Sequence, residues 1–342
     1  MEKIYTAGII GTGRIGFTLG FDKKREQPAS HTMALRGNRR IRILSAADSN
    51  EERRTLWKKH CGNAHVYGSA EDLLAAGVPD IVVVAVNEDA HLCAALAVIA
   101  AKPKLLILEK PVALNMADGM KIQQAAQAAH VPVLVNHERR FAHDYAAAAA
   151  YLKNIGSIQS IRADLWSGLC VFLAQEKSTG AYSLLHDGTH LVDIVYFFLE
   201  HLQPDAALRN PQLTCLHSDD KGAVRNLGVH YAVPVCPDIQ INISGRSKFF
   251  GFGIDILGTQ GRIEIGNGYA RFSRMEESKL YTGFYSLAQD KSVKVPKKTG
   301  YFSNMIQNAV DFLDGSAALK STVDTGLKTL AVLEDIVRLI EA

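Results

Sequence analysis

The 342-residue chain has few cysteines, and the five it has (Cys61, Cys93, Cys170, Cys215 and Cys236) are odd in number, widely spaced and without a C-x-x-C pair. That excludes a disulfide framework, offers no paired thiols to zinc or dithiol chemistry, and fits a reducing, cytoplasmic setting. No apolar run approaches the roughly 18 residues that cross a bilayer. The amino terminus passes from Met1-Glu2-Lys3 towards glycines without a signal-like segment, so no membrane partner is expected. Charge of one sign is scarce as well. With 38 basic against 35 acidic residues the net charge is +3, too little to hold nucleic acid by counterion release. Internal repeats and low-complexity linkers are missing. What remains, at 47% hydrophobic residues, is a globular chain long enough for two cores.

The first part alternates strands and helices. Thr6–Ile10, Arg42–Ala47, Ile81–Val86, Lys104–Leu108 and Val131–Val135 read as buried strands. Between them, Glu51–His60, a short piece at Asp72-Leu73-Leu74, His91–Ala101 and Ala117–Ala129 read as helices. Strands separated by such helices pair in parallel through right-handed crossovers, which predicts a doubly wound α/β domain over residues 1–136. After Asn136 the pattern changes. A helix over Tyr145–Leu152 leads to Ile158–Trp166, where Ile161, Ala163 and Leu165 alternate with Arg162, Asp164 and Trp166, a strand buried on one face. One helix is predicted over Tyr182–Glu200. Strand-like pieces follow at 213–216, 224–232, 239–244, 251–257 and 262–265, punctuated by glycine and proline, so residues 137–342 read as an α+β domain with an open, mostly antiparallel sheet. Helical spacing returns from Phe302 to Leu313, and Ser321-x-x-Asp324 is expected to open a last helix. These last helices are expected to pack back on the first domain.

Directly after the first strand stands Gly11-Thr12-Gly13-Arg14-Ile15-Gly16, the G-x-G-x-x-G pattern in the strand–turn–helix context that gives it meaning. The first glycine permits the tight turn, the second lets the backbone approach a pyrophosphate, and the third allows close helix packing. Unbonded N–H groups at the helix start attract the anion. Dinucleotide binding follows. Asp48 ends the second strand, where a carboxylate accepts from ribose hydroxyls and repels a 2′-phosphate, favouring NAD over NADP. Arg53 and Arg54, one turn on, keep NADP possible. Residues 21–40 lengthen this unit beyond the usual 30 or so. Lys23, Lys24, Arg25, Arg36, Arg39 and Arg40 mark them as a solvated extension of the first helix, with a phosphate- or substrate-contacting arm as the alternative.

Glu109-Lys110-Pro111 closes a buried parallel strand at its carboxyl end, the edge where such sheets bind ligands. Proline restrains the Lys110 backbone, and an ammonium there can hold a substrate hydroxyl and stabilise alkoxide charge. His186 and His190 lie four apart in the Tyr182–Glu200 helix, on one face. A neutral imidazole at His190 can take a hydroxyl proton near neutrality. A structural role for the pair is the alternative; a metal site is not expected, since no H-E-x-x-H acid or third ligand accompanies it.

In order and spacing, the glycine loop, Asp48, Glu109-Lys110-Pro111, Glu138-Arg139-Arg140-Phe141 and Gly188-Thr189-His190 resemble the Gfo/Idh/MocA oxidoreductases over nearly the whole chain. The resemblance implies a Rossmann domain, a second domain whose open sheet makes homo-oligomer contacts, and nicotinamide-dependent oxidation or reduction of a sugar, polyol or related small molecule. It further implies that Lys110 and His190 are the catalytic pair. Asn87 and His91 would lie near the nicotinamide half and Glu109 at its ribose. The chain departs from the family pattern where an aspartate commonly precedes the helix histidine by four residues: His186 stands there, with Asp187 next to it. Either Asp187 supplies the missing negative charge or His186 takes its place in the site. Asn136-His137-Glu138 likewise replaces the common glycine, aromatic and asparagine. Two other functions fit the same residues: a cofactor-binding regulator without turnover, and a hydrolase or lyase that retains NAD.

Overall fold

The computed structural model describes residues 2–342. The chain forms two compact units, one from residues up to Ala142 with Lys298–Lys328, the other from His143–Lys297 with Thr329–Ala342. In the first, β1 (Tyr5–Ile10), α1 (His31–Gly37), β2 (Ile41–Ala47), α2 (Glu51–Cys61), β3 (His65–Tyr67), α3 (Ala70–Ala76), β4 (Ile81–Val84), α4 (His91–Ala101), β5 (Leu105–Leu108), α5 (Met116–Ala129) and β6 (Val133–Val135) follow in order. All six strands are parallel, in the order β3-β2-β1-β4-β5-β6. This is the Rossmann arrangement, in which the order reverses between β1 and β4 and opens a crevice at the carboxyl edge. Every side chain of β4 and β5 is buried, as their unbroken Val/Ile/Leu runs require of strands covered on both faces.

The segment after the glycine turn departs from the expected surface extension. Phe17 N–H bonds the Gly13 carbonyl at 2.9 Å, but the chain then leaves the helix through a short 3₁₀ turn, Thr18–Phe21. It returns at His31, whose N–H takes the Ile15 carbonyl at 3.0 Å, while Thr32 N–H takes that of Gly16 at 2.9 Å. In an uninterrupted helix those carbonyls would receive residues 19 and 20. Residues 19–30 are therefore looped out of a helix whose ladder continues across the gap, and β1-to-β2 without them has the ordinary length of such a unit. The alternative of a phosphate-contacting arm is corrected for Arg36, Arg39 and Arg40. Arg36 donates to the His60 carbonyl, Arg39 pairs with Glu2, and Arg40 pairs with Asp314, all at the amino-terminal end of the strands and opposite the glycine turn.

The second unit comprises α6 (His143–Tyr151), β7 (Ile158–Trp166), α7 (Ser183–His186), α8 (Gly188–Leu202), β8 (Gln212–Ser218), β9 (Val224–Val233), β10 (Cys236–Ser244), β11 (Gly251–Gly258), β12 (Gly261–Gly266), β13 (Tyr269–Glu277) and β14 (Tyr285–Gln289). Its eight strands run β14-β13-β12-β11-β7-β10-β9-β8, antiparallel except for β7 beside β10. On β7, Ile161, Ala163 and Leu165 are buried and Arg162 is exposed, as the alternation predicts. Polar pairs cover the outer face, among them Arg162 with Asp238 and Asn242 with Asp164. The single helix expected over Tyr182–Glu200 is corrected: α7 ends at His186 and α8 begins at Gly188, with Asp187 at the joint.

From there α9 (Tyr301–Leu313) returns to the first unit, where Phe302, Met305, Ile306, Ala309 and Val310 join its core. Its N-cap residue, Gly300, has no side chain to cap the helix. Glu26, from the looped-out segment, does so, accepting from the N–H groups of Thr299 and Gly300 at 2.7 Å each. The last helix, α10 (Val323–Glu341), starts one residue later than its expected signal. Thr322 and Thr325 form the reciprocal box, Thr322 N–H to Thr325 Oγ1 at 2.9 Å and Thr325 N–H to Thr322 Oγ1 at 3.4 Å. Ser321 is instead buried 3.3 Å from His137 Nδ1, and Asp324 accepts from Gln123.

Candidate functional site

At the carboxyl edge of the parallel sheet, Gly11 has φ +95°, and a Cβ there would sit 2.4 Å from the Ala85 carbonyl oxygen; at Gly16 it would sit 2.0 Å from that of Gly11. Both positions exclude any side chain. Gly13 differs: a Cβ there would meet nothing closer than Arg53 Nη1 at 3.5 Å. The protein leaves room at Gly13, which is what a backbone approached by a pyrophosphate needs. Thr12 is buried, Ile15 half-buried, and Arg14 exposed. Asp48, also buried, accepts from Thr12 N–H at 2.8 Å and Thr12 Oγ1 at 3.1 Å through Oδ2, and from Asn50 N–H at 2.9 Å through Oδ1. Arg53 Nη1 lies 3.9 Å from the same carboxylate. Asp48 thus ties the second strand to the glycine turn.

Along the same edge, β5 delivers Glu109 and Lys110. Glu109 is buried, and its Oε1 accepts from His31 Nε2 and from Asn136 Nδ2, both at 2.6 Å. Burial alone would raise this carboxyl; the His31 hydrogen bond and charge, the Asn136 amide and the Lys110 charge together outweigh it and hold it below the usual carboxylate range. Lys110 follows, half-buried, joined to Pro111 by a cis peptide. The Pro111 carbonyl accepts from His91 Nδ1 at 2.6 Å, and His91 Nε2 stands 3.3 Å from the Val86 carbonyl. His91 is fully buried, and burial lowers its pKa, so the neutral ring clasps the loops after β4 and β5. Asn87, between them, is exposed.

In the second unit, the joint between α7 and α8 carries His186, Asp187 and His190. Ser167 Oγ donates to Asp187 Oδ2 at 2.7 Å, and His186 Nε2 lies 3.9 Å from Asp187 Oδ1. His190 is half-buried, its N–H on the Asp187 carbonyl at 3.1 Å. Among the described residues no group of three or more His, Cys, Asp or Glu side chains could hold a metal ion. Among the described residues no helix is long and apolar enough to cross a membrane.

In the first unit the structure gathers Gly11, Thr12, Gly13, Gly16 and Asp48 on one sheet edge with Glu109, Lys110 and His91. Sequence reasoning missed His31. Its partner is 78 positions away, and it lies in a segment whose basic composition reads as solvated. The one local sign was Ser30 before it, which caps α1 by accepting from Met33 N–H.

This arrangement defines a dinucleotide-binding Rossmann unit. Residues 5–137 match the family described as "Oxidoreductase family, NAD-binding Rossmann fold", GFO_IDH_MocA. The match covers most of the amino-terminal unit, and the NAD-binding Rossmann fold it describes is the fold seen there. No curated protein matches the chain. Among solved structures, a dehydrogenase from Chromobacterium violaceum superposes with a TM-score of 0.79 at 16% identity, over 98% of this chain and 95% of its own. An oxidoreductase from Agrobacterium radiobacter in complex with NAD+, L-tartaric acid and magnesium gives 0.75 at 20%, over 100% and 97%. Biliverdin reductase from Synechocystis, in complex with biliverdin and NADP+, gives 0.72 at 17%, over 98% of each chain. These likenesses extend the shared fold over both units.

Proposed function

We propose that the protein transfers hydride between NAD(H) and a CH–OH carbon of a sugar, polyol or related small molecule. The observation that carries this is the β5 edge, where an anionic Glu109, fixed by two hydrogen bonds, precedes Lys110 on the edge that bears the glycine turn. Gly11–Gly16 holds the pyrophosphate, Asp48 the adenosine ribose and Glu109 the nicotinamide ribose. The bound nicotinamide accepts or returns the hydride. Lys110 hydrogen-bonds the substrate oxygen and stabilises its alkoxide charge. His190 takes the hydroxyl proton, so alcohol and NAD+ give carbonyl, NADH and a proton on the imidazole. Asp187, braced by Ser167, supplies the negative charge that an aspartate at position 186 would have supplied. His186, half-exposed beside it, lines the substrate side.

Asp48 makes NAD the preferred dinucleotide, with NADP accepted where Arg53 can meet its phosphate. The outer face of the eight-stranded sheet is the surface for a second copy of the chain, and the five free cysteines suit the cytoplasm. A panel of sugars and polyols, followed at the nicotinamide absorbance with both dinucleotides, tests the reaction. Net NADH formation supports it. Dinucleotide binding without turnover on any substrate would make the protein a regulator, and product without net NADH would make it an NAD-retaining hydrolase or lyase.

A further inference from the structure

His31 reaches its place only because residues 19–30 leave the helix. The rungs that accept at Ile15 and Gly16 would otherwise be filled by Leu19 and Gly20, neither of which has a side-chain donor. With the loop out, they are filled by His31 and Thr32. The Thr32 hydroxyl donates to the Gly16 carbonyl at 2.7 Å and receives Trp57 Nε1 at 3.0 Å, which locks the splice. Glu26, on the N-terminus of α9, anchors the loop itself.

Away from the Glu109 carboxylate, the His31 ring packs on an apolar neighbour. The ring is fully buried, Phe302 meets it edge-on at 5.2 Å, and Nδ1 has no hydrogen-bond partner. A leucine or phenylalanine would fill this space without stranding a nitrogen, and stranding one is a cost that buried polar groups rarely carry. What the imidazole alone adds is the Nε2–H on Glu109 Oε1. Asn136 donates to that same oxygen, and its own Oδ1 is likewise left without a partner. Both donors crowd one carboxylate oxygen; among the described residues none reaches the other, Oε2.

We propose that His31 is a positioning residue for Glu109: by holding Oε1 it sets the carboxylate plane and turns Oε2 to the cofactor, and the 19–30 loop is the device that seats it. The proposal rests on the reading of Glu109 as a contact to the nicotinamide ribose. It makes the looped-out segment part of the dinucleotide site without any direct contact to the ligand.

The test is titration of NADH fluorescence, which needs no substrate, on His31→Leu, His31→Gln, His31→Asn and Glu109→Gln, with the melting temperature of each recorded. A glutamine amide can reach the position of Nε2; an asparagine amide stops near Nδ1. His31→Leu and His31→Asn are expected to weaken NADH by about tenfold, and His31→Gln to stay within about threefold of the parent, because a charge-assisted hydrogen bond is lost in the first two and kept in the third. If the leucine variant fails to fold, the glutamine–asparagine contrast decides alone. Parental affinity in both His31→Leu and His31→Asn, or equal loss in the glutamine and asparagine variants, overturns the proposal if Glu109→Gln loses NADH. If Glu109→Gln also binds NADH as the parent does, the reading of Glu109 itself fails.

Discussion

Asp48 receives Thr12 twice, 2.8 Å from its backbone N–H and 3.1 Å from its hydroxyl, so the acid at the tip of β2 and the second residue of the glycine turn are one unit. A carboxylate holding the turn in this way is already oriented when a ribose arrives, with an acceptor site to spare on Oδ1, which takes only the Asn50 N–H. Asp48→Ser is therefore expected to weaken NAD by about tenfold, the scale of one lost charge-assisted hydrogen bond, and to relax discrimination against NADP. Titration with both dinucleotides checks it; an unchanged preference means that the acid does not reach the ribose.

Gly13 separates ligand from fold. Gly11 and Gly16 are crowded by backbone atoms, so alanine at either disturbs the turn itself. At Gly13 the nearest atom to a Cβ is the flexible end of Arg53 at 3.5 Å. Gly13→Ala is expected to keep the parent's melting temperature within a few degrees, as ordinary surface changes do, while losing NADH affinity by about tenfold or more, because the methyl occupies space meant for the pyrophosphate. Intact affinity would place the dinucleotide elsewhere.

Burial holds His91 below its ordinary value of 6.5 against the opposing pull of the Pro111 carbonyl, the Glu109 and Glu88 charges and the Val86 carbonyl. Above the ordinary value the ring is neutral folded or unfolded, and its contribution to stability is complete. As pH falls below it, the unfolded chain takes a proton that the folded one refuses, and stability is lost down to the folded pKa. His91→Asn retains a donor for Pro111 but does not titrate. Melting curves from about pH 7 to about pH 5 should fall less steeply in the variant than in the parent; equal slopes would mean that His91 is not the group responsible.

Much of this was legible in the sequence because periodicity and burial coincide. The Ile81–Val84 run, with no polar interruption, could only be a strand covered on both faces; the Ile161, Ala163, Leu165 alternation could only be a strand covered on one. Elements with weak burial escaped: β3 is three residues long and only partly buried, and β13 and β14 carry mostly exposed side chains, so neither pattern marks them. The break at Asp187 was hidden because apolar spacing runs on from α7 into α8. For the site, Gly11–Gly16, Asp48 and Glu109-Lys110 announce themselves by position at strand ends. His31 does not, since the rung it fills is defined by hydrogen bonds to Ile15 and Gly16 across a gap of twelve residues.

Lys110→Ala, assayed on whichever alcohol the substrate panel selects, should lose turnover by at least about a thousandfold, the scale of removing an oxyanion-type donor, while NADH affinity stays within about threefold. Parental rates in this variant would remove the lysine from the chemistry. His190→Ala should slow turnover by about a hundredfold or more, as loss of a general base does.

The most direct test of the whole account is a crystal structure of the protein with NAD and a polyol. The account predicts Lys110 Nζ and a His190 ring nitrogen both within hydrogen-bond reach of one substrate hydroxyl, whose carbon faces the nicotinamide. A nicotinamide bound where neither nitrogen can approach, or the two nitrogens turned away from a common oxygen, would contradict it.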